Sequence, residues 1–311
     1  MCRRVFGEHI QVLHAVELGN GMYNTTYRVT LADRGSVILR VAPEAGRQFV
    51  SERELMRNEY ASLPYLAPIA SLMPRTLAAD FTHELVGRDY LFQTCLGGVP
   101  AAEGLARYPR AAWAGFFRQM GSIARRIHDV RGARFGVVGG RGYLTWSAAL
   151  LALFGELVED TERIGVDAAS LVGIASSAER DRGILDEIVE PRLLHGDLWI
   201  INVMVADPDE AEEPVITGVF DCDRTLWGDP EADWTIEMVT RKPGTERDAF
   251  WDTYGKLNAT PEAVRRRQYY RARHLAAIRL EAFRLGKTDD LPRLTMELEA
   301  IAAGLKSRAG G

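Results

Sequence analysis

The residues of this chain that are best suited to chemistry lie in one short stretch, 193–205, whose polar centre is flanked by apolar residues. Asp197 and Asn202 are five positions apart in this stretch, and Asp221 follows at the end of a second short apolar run. A carboxylate can accept a proton, while an amide oxygen and a second carboxylate are hard ligands of the kind that Mg²⁺ prefers. We therefore expect Asp197 to be the catalytic base, and Asn202 and Asp221 to be the metal ligands.

The order and spacing of these three groups are typical of a phosphoryl-transfer centre. In protein kinases an Asp accepts the proton of the acceptor hydroxyl, and an Asn five residues later holds a metal ion together with a second Asp. One of these groups alone is weak support, but the three in this order favour transfer of a γ-phosphoryl group. The remaining parts of the chain must then supply a cradle for the triphosphate and a site for the acceptor.

A turn with two glycines lies between predicted strands at residues 12–18 and 25–31. Strand, glycine-rich loop and strand is the arrangement that covers nucleotide phosphates in kinases, because small residues let backbone N–H groups approach the oxygens. A plain β-hairpin is the alternative, and the turn by itself favours the hairpin. The candidate nucleotide-binding residues in this turn are Gly19, Asn20, Gly21 and Asn24.

Arg40 lies in a third predicted strand, at the position where kinases carry the lysine that binds the α- and β-phosphates and pairs with a helix glutamate. Arginine keeps the positive charge but presents a planar fork instead of a point charge. The spacing of residues 51–63 predicts a helix capped by its first serine. Glu59 in this helix is the expected partner of Arg40, with Glu52 and Glu54 as alternatives.

Two further predicted strands, 76–80 and 90–94, end at a Gly- and Pro-rich segment, 96–100, which is the expected linker between two lobes. We therefore predict a nucleotide-binding lobe at 1–95 and a helical catalytic and substrate-binding lobe at 96–311. The edge of the last strand is expected to present backbone groups to the adenine ring. The candidate residues there are Gln93, Thr94 and Cys95.

Apolar residues recur at helical spacing over residues 111–130 and 146–157, and a third helix is predicted at 261–285. The arginines of the third helix are expected to form a solvated face. Acidic residues after the second metal ligand favour a cationic acceptor, although the arginines point the other way. The acidic candidates for the acceptor site are Asp229, Asp233 and Glu237.

Composition places the chain among ordinary globular proteins. It has 311 residues, 47% of them hydrophobic and 26% charged, with a formal net charge of -5. The slight acidity argues against a nucleic-acid partner, and no export signal or bilayer-spanning segment is evident. Three cysteines without disulfide or metal-ligand spacing predict a reducing, cytoplasmic location. We expect a monomer or a weak dimer.

Three motifs of the chain resemble those of the aminoglycoside phosphotransferase family. They are His-Gly-Asp-Leu-Trp-Ile-Ile-Asn-Val at 195–203, Val-Phe-Asp-Cys-Asp-Arg-Thr-Leu-Trp-Gly-Asp-Pro at 219–230, and the glycine loop at 19–29. Together they cover nearly the whole chain in family order. The resemblance implies an α+β, protein-kinase-like bilobal fold with an antiparallel N-terminal sheet and one helix, followed by a larger helical lobe. It also implies ATP (or GTP) with Mg²⁺, and O-phosphorylation of a small-molecule hydroxyl.

Within that family the strand around Arg40 and the segment 140–146 are similar to the hygromycin B phosphotransferase branch. This likeness implies an antibiotic-inactivating enzyme that confers resistance. The family also contains choline, homoserine and sugar kinases, so a metabolic small-molecule kinase is the alternative. A non-catalytic, pseudokinase-like nucleotide-binding protein is a third possibility, because Arg40 replaces the usual lysine.

Overall fold

The computed structural model describes residues 1–19 and 23–307, which form an α+β fold of two lobes. The first lobe is built on a five-stranded antiparallel sheet with the order β1-β2-β3-β5-β4. The predicted strands of this lobe are confirmed. They are β1 (Val12–Glu17), β2 (Thr25–Leu31), β3 (Gly35–Val41), β4 (Thr76–Asp80) and β5 (Tyr90–Thr94), and the helices are α1 (Cys2–Phe6) and α2 (Leu55–Ser62).

The two faces of the central strand β3 have different surroundings. Val37, Leu39 and Val41 point to one face and are buried in the apolar core of the lobe, as the twofold period of a strand requires. Arg40 therefore points to the other face. Gln93 lies on that face as well, because it is opposite Ile38 in the β3–β5 register. The sequence alternation thus directs two polar side chains toward α2.

Helix α2 begins at Leu55, so the prediction of a helix from residue 51 is wrong at its N-terminus. A short 3-10 turn at Val50–Glu52 precedes it, and Glu54 has a left-handed backbone with φ 57°. Ser51 does not cap the helix. Its backbone N–H and hydroxyl both donate to the Asp160 carboxylate, at 2.9 and 2.8 Å. This contact ties the segment before α2 to the second lobe.

The second lobe is mostly helical, and amphipathic helices bury their apolar faces in two large cores. The predicted helices at 111–130 and 261–285 are confirmed, and the one at 146–157 continues for six more residues. The helices are α3 (Ala101–Gly104), α4 (Trp113–His128), α5 (Trp146–Arg163), α6 (Ala169–Arg180), α7 (Arg182–Leu185), α8 (Trp234–Thr240), α9 (Trp251–Tyr254), α10 (Pro261–Arg284) and α11 (Leu291–Ser307).

Two small three-stranded sheets in this lobe hold the segments with the predicted chemistry. The expected linker at 96–100 is only partly a linker, because its last two residues pair with β9 in the first of these sheets. Gly98 allows this approach: it has φ 89°, and a Cβ there would lie 2.1 Å from the Val205 carbonyl oxygen. The strands are β6 (Val99–Pro100), β7 (Gly136–Val137), β8 (Arg192–Leu194), β9 (Val203–Val205), β10 (Ile216–Val219) and β11 (Leu226–Gly228).

The arginines of α10 do not form the solvated face that the sequence predicts. Arg266 and Arg279 are buried, and Arg265 forms an ion pair with Asp181. The helix packs against α5, α6 and α11, so most of its circumference contacts other elements. Within the part of the chain that is described, none of the helices combines the length and apolar character needed to cross a bilayer.

Candidate active site

The stretch around Asp197 is a loop between β8 and β9 that closes with a 3-10 turn at Ile200–Asn202. Buried Leu194 and Leu198 anchor it in the second lobe. Gly196 has φ 83°, and a Cβ there would lie 2.1 Å from the Arg224 carbonyl oxygen. Only glycine fits this close approach, so the loop is pressed against the segment that carries the second predicted metal ligand.

The buried carboxylate of Asp233 fixes the backbone at the start of this loop. Its carboxylate accepts the backbone N–H groups of His195, at 2.9 Å, and Gly196, at 3.1 Å, and a third bond at 2.8 Å from Nε2 of His128. Burial by itself raises the pKa of Asp233, but the hydrogen bond from His128 and the charges of the two histidines lower it to about 2. The carboxylate is therefore an ionised anchor for the loop.

Asp197 and Asn202 are joined directly. Nδ2 of Asn202 donates to the Asp197 backbone carbonyl at 2.9 Å and to its Oδ2 at 2.8 Å. Burial raises the pKa of Asp197 to about 7, against the opposing effect of the Arg224 charge. A carboxyl with a pKa near neutrality is suited to accept a proton at the pH of the cell.

Asp221 lies beside this pair. The backbone N–H of Phe220 donates to the Asn202 carbonyl at 3.1 Å, which fixes the end of β10 against the loop, and Asp221 has a left-handed backbone with φ 61°. Because both amide hydrogens that Asn202 uses point to Asp197, its Oδ1 is left as a hard oxygen donor. Asn202 and Asp221 therefore fit Mg²⁺ in donor chemistry, with the phosphates of a substrate completing the coordination.

The described residues hold no cluster of three His, Cys, Asp or Glu side chains that could bind a metal by itself. This agrees with a site that has only two protein ligands, one of them an amide. Mg²⁺ is commonly bound by one or two carboxylates plus substrate phosphates. The hydrogen bond from Phe220 to Asn202 places the segments of the two predicted ligands, Asn202 and Asp221, side by side. The metal role of each remains a prediction.

Arg40 connects the two lobes. Its Nη1 donates to Glu59 at 2.6 Å, and its Nη2 donates to Asp221 at 2.5 Å. Gln93 donates to the other oxygen of Glu59 at 3.1 Å. Arg40, Glu59 and Gln93 are all buried. The structure thus joins Arg40 to the glutamate expected as its partner, and excludes Glu52 and Glu54 from that position.

The other predicted nucleotide-binding residues are less well defined. Asn20 and Gly21 lie outside the described residues, while Gly19 precedes them in the loop and Asn24 is buried at its far end. Thr94 and Cys95 are half-buried at the end of β5. Their positions agree with a nucleotide site at the edge of the first lobe, and their roles remain predictions.

The acidic residues expected to line the acceptor site have other surroundings. Asp233 is the buried loop anchor described above. Asp229 is buried as well and accepts the Tyr270 hydroxyl at 2.7 Å. Burial raises the pKa of Glu237, whose nearest cations are Arg271 and Arg241. Asp229 and Asp233 have hydrogen-bond partners within the protein, and Glu237 lies 3.8 Å from each of its two arginines. The three carboxylates do not form a solvent-facing acidic wall, which corrects the sequence prediction.

A cavity of about 560 Å³ opens beside Asp197, between the segment before α2 and the helices of the second lobe. This volume is typical of sites for small molecules. The three acidic candidates do not line it. Residues that line it and that the sequence reasoning missed include Arg53, Trp199, Arg224, Trp234 and Arg273.

The missed residues differ in whether a signal in the sequence could have identified them. Arg224 lies three residues after Asp221 within the motif at 219–230, so its closeness to the site could have been inferred from the sequence. In the structure it pairs with Glu52 at 3.0 Å. Arg273 belongs to an arginine-rich helix in which every member has the same local signal. Only the packing of α10, which places Arg273 at the cavity, distinguishes it from the other arginines of this helix.

A model of the phosphotransferase enzyme family (APH) matches residues 14–269, which is most of the chain. The chain belongs to the phosphotransferase enzyme family. This confirms the family that the three motifs predicted. As a member of this family, the protein is a phosphotransferase that acts on a hydroxyl group of a small molecule, so the non-catalytic alternative is set aside.

Solved structures of other members share the fold. The apo form of a thermostable mutant of aminoglycoside phosphotransferase APH(4)-Ia is 18% identical, with 97% of each chain covered and a TM-score of 0.65. Its ternary complex with ADP and hygromycin B is 17% identical, covering 100% of this chain and 98% of that one, with a TM-score of 0.64.

The GDP and kanamycin complex of the phosphotransferase APH(2")-IIIa is 18% identical, with 98% and 97% of the two chains covered and a TM-score of 0.65. No curated protein matches the chain in sequence. At this level of identity the solved structures establish the kinase-like bilobal fold and nothing finer, so the acceptor must be inferred from the site itself.

Proposed function

We propose that this phosphotransferase moves the γ-phosphoryl group of ATP (or GTP) to a hydroxyl group of a small molecule bound in the cavity beside Asp197. The observation that carries the proposal is the convergence of Asn202, Asp221 and Arg40 on the segments around Asp197, which itself lines that cavity. Residues 1–95 would form the nucleotide-binding lobe and residues 96–311 the catalytic lobe.

In the proposed reaction the acceptor oxygen forms a bond to the γ-phosphorus, and the bond from that phosphorus to the β-phosphate oxygen breaks. ADP leaves, and the hydroxyl proton passes to Asp197. Asn202 orients this carboxylate through its two hydrogen bonds, and Asn202 and Asp221 would hold Mg²⁺. When bound, the metal ion would supply positive charge that neutralises the phosphate oxygens.

The nucleotide would lie under the glycine loop that begins at Gly19. Arg40, held by Glu59, is the expected contact of the α- and β-phosphates, and the backbone at residues 93–95 would bind the adenine ring. The complexes of the structural relatives with ADP and GDP support a nucleotide in this cleft. A nucleotide-dependent reaction also suits the cytoplasmic location that the cysteine content favours, and we keep the expectation of a monomer or a weak dimer.

For the acceptor, an antibiotic of the aminoglycoside or hygromycin type is the candidate that the comparisons favour, because the relatives above bind hygromycin B and kanamycin. Phosphorylation of such a compound would confer resistance. A metabolic small-molecule kinase is the second candidate. It is favoured by one observation on this chain: the three expected acidic residues do not line the cavity, whereas Arg273, which forms no ion pair with the described residues, lines it together with other acidic residues.

The proposal is tested by incubating the enzyme with MgATP or MgGTP and a panel of hydroxylated compounds, and by searching for products that gain one phosphate by mass spectrometry. Nucleotide binding is measured separately by calorimetry. We expect a phosphorylated product with the native enzyme, and loss of metal-nucleotide binding in Asp221→Ala. Normal nucleotide binding by Asp221→Ala, together with no product from any acceptor, would contradict the proposal.

A further inference from the structure

The cavity wall formed by α8 and α10 contains polar atoms that have no partner. Nε1 of Trp234, Nε of Arg273 and Nδ1 of His274 are all buried, and none of them forms a hydrogen bond within the described residues. All three residues line the cavity beside Asp197. A buried polar group without a hydrogen bond is costly, and it is rarely retained without a functional reason.

Arg273 is the charged member of the three. Apart from its unpartnered Nε, its guanidinium makes two contacts within the described chain, from Nη2 to the Ala232 carbonyl at 3.5 Å and to Nε2 of His274 at 3.2 Å. None of the described carboxylates lies within 4.0 Å of it. Arg265, Arg266 and Arg267 of the same helix each form an ion pair. Arg279 resembles Arg273 in having a buried Nε without a partner, but only Arg273 of these two lines the cavity.

The contact with His274 is weaker than its distance suggests. Burial lowers the pKa of His274 to about 3, so the ring is neutral and carries one proton. Its Nε2 also lies 3.1 Å from the Ala232 carbonyl, a contact that requires this nitrogen to donate. A nitrogen that donates to Ala232 cannot accept from Arg273. The Arg273 guanidinium therefore retains donors that only a ligand can use.

Trp234 places a second donor on the same wall. Its ring lies edge-to-face between Trp199, at 6.4 Å between centroids, and His274, at 5.0 Å. Trp199 is two residues after Asp197 in the catalytic loop. The aromatic cluster therefore links the unsatisfied donors of α8 and α10 to the loop that carries the catalytic base.

We propose that Arg273 and Nε1 of Trp234 form a carboxylate-binding subsite, and that the acceptor of this enzyme is a hydroxylated carboxylic acid. A carboxylate offers acceptor sites for several donors at once, and arginine binds it through charge-assisted hydrogen bonds. This inference rests on the proposed phosphoryl transfer at Asp197, because it concerns the substrate of that same site.

Acidic residues also line the cavity, but none of the described carboxylates lies within 4.0 Å of a guanidinium nitrogen of Arg273. Glu281 follows Arg273 by eight residues on α10, which corresponds to roughly 12 Å along a helix. Glu156 belongs to α5, on a different wall. The carboxylate of the acceptor would bind beside Arg273, and an amine, where the acceptor has one, would be compatible with the acidic end.

The test compares hydroxylated carboxylates with counterparts that lack the carboxylate: serine with ethanolamine, homoserine with 3-aminopropanol, and gluconate with sorbitol. Hygromycin B and kanamycin serve as polycations. Binding is followed by the intrinsic fluorescence of Trp199 and Trp234, and transfer by mass spectrometry with MgATP. We expect at least one carboxylate to bind tenfold or more tightly than its counterpart, and to be phosphorylated.

Arg273→Met should remove this preference and leave the affinity for MgATP unchanged. Arg271→Met is the matched control, since Arg271 lies on the same helix outside the cavity and pairs with Glu297. Because Arg273 has no ion pair to lose, Arg273→Met should also melt at the same temperature as the native enzyme or higher. A lower melting temperature with unchanged acceptor binding would mean a structural role.

The inference is overturned when no carboxylate of the panel binds, when both members of each pair bind equally, or when Arg273→Met retains the preference. Transfer to hygromycin B or kanamycin alone would leave the phosphotransferase function standing and overturn only the carboxylate subsite. Failure of both nucleotide binding and transfer with every compound would instead contradict the proposed function.

Discussion

The catalytic loop and the acceptor wall line the same cavity, but they differ in the groups that are hydrogen-bonded: the catalytic carboxylate and the loop backbone have partners, whereas two side-chain donors of the wall have none. Within the loop, the only buried side-chain atoms that lack a partner among the described residues are the ring nitrogens of His195. Below the loop, the Asp233 carboxylate accepts three hydrogen bonds, and Arg40 is held by two carboxylates across the lobes. On the wall, Trp234 and Arg273 each retain a buried N–H without a partner.

This difference separates what the protein fixes in advance from what it leaves for a ligand. A base that must meet a hydroxyl group and a phosphorus atom has to be held in position before the substrate arrives. The hydrogen bonds from Asn202 to Asp197, and from the loop backbone to Asp233, achieve this. A recognition surface instead needs unsatisfied donors, because specificity depends on the cost of leaving them unpaired. The following predictions test each side of this comparison.

The largest effect is expected at the base itself. Asp197→Ala should lower kcat by roughly 10²- to 10⁴-fold, because general-base catalysis of this kind contributes about that factor. Its affinity for MgATP should be nearly unchanged, as measured by calorimetry. Asp252→Ala, at an exposed residue that pairs with Arg118, is the control. An unchanged kcat in Asp197→Ala would show that the loop has another role.

The stability of the protein should be sensitive to loss of the Asp233 carboxylate, which anchors the catalytic loop. Asp233→Asn replaces an acceptor oxygen with an N–H₂ group that faces backbone N–H donors, so we expect the free energy of unfolding to fall by about 3 kcal/mol or more. Urea denaturation would measure this. Asp209→Asn, at an exposed carboxylate, should change stability by less than about 1 kcal/mol. Equal effects of the two substitutions would contradict the anchoring role.

The same anchor predicts a dependence of stability on pH. The pKa of Asp233 is lowered to about 2 in the folded protein, against an ordinary value of about 3.9 in the unfolded chain. The stabilisation is therefore complete above about pH 5 and is lost as the pH falls through about 4 to below about 2, which amounts to about 2.6 kcal/mol. The difference in unfolding free energy between the native enzyme and Asp233→Asn should shrink across this range, and a constant difference would refute the assignment.

A smaller effect is expected where the two lobes meet. Arg40 uses separate nitrogens for Glu59 and Asp221, and one lysine ammonium cannot reproduce this planar fork. Arg40→Lys should therefore raise the KM for ATP about tenfold, equivalent to about 1.4 kcal/mol, with little change in kcat. Arg28→Lys, in the neighbouring strand, is the control. An equal or lower KM in Arg40→Lys would show that only the charge is required.

The bonded side of the site is also the side that the sequence predicts. Asp197, Asn202 and Asp221 could be found because their spacing is set by a short loop and a hairpin, and Glu59 could be found because one helix face limits the choices. The position of Asp233 under the loop, and of Arg273 at the cavity, depends on how distant helices pack. The local sequence pattern does not encode that packing. The sequence analysis therefore placed Asp233 at the acceptor site and Arg273 on a solvated helix face, and neither residue has those surroundings in the structure.

The finest test concerns a single N–H group of the wall. Trp234→Phe keeps an aromatic ring beside Trp199 and His274 but removes Nε1. Acceptor binding should therefore weaken about tenfold, because a hydrogen bond to a charged carboxylate contributes about 1.5 kcal/mol. The melting temperature should not fall, because an unsatisfied buried donor is removed. Trp113→Phe is the matched control: its Nε1 donates to the Leu105 carbonyl at 2.9 Å, so its loss should lower stability without affecting the acceptor. If Trp234→Phe behaved like Trp113→Phe, the wall would be part of the scaffold, and the contrast between the two regions would no longer hold.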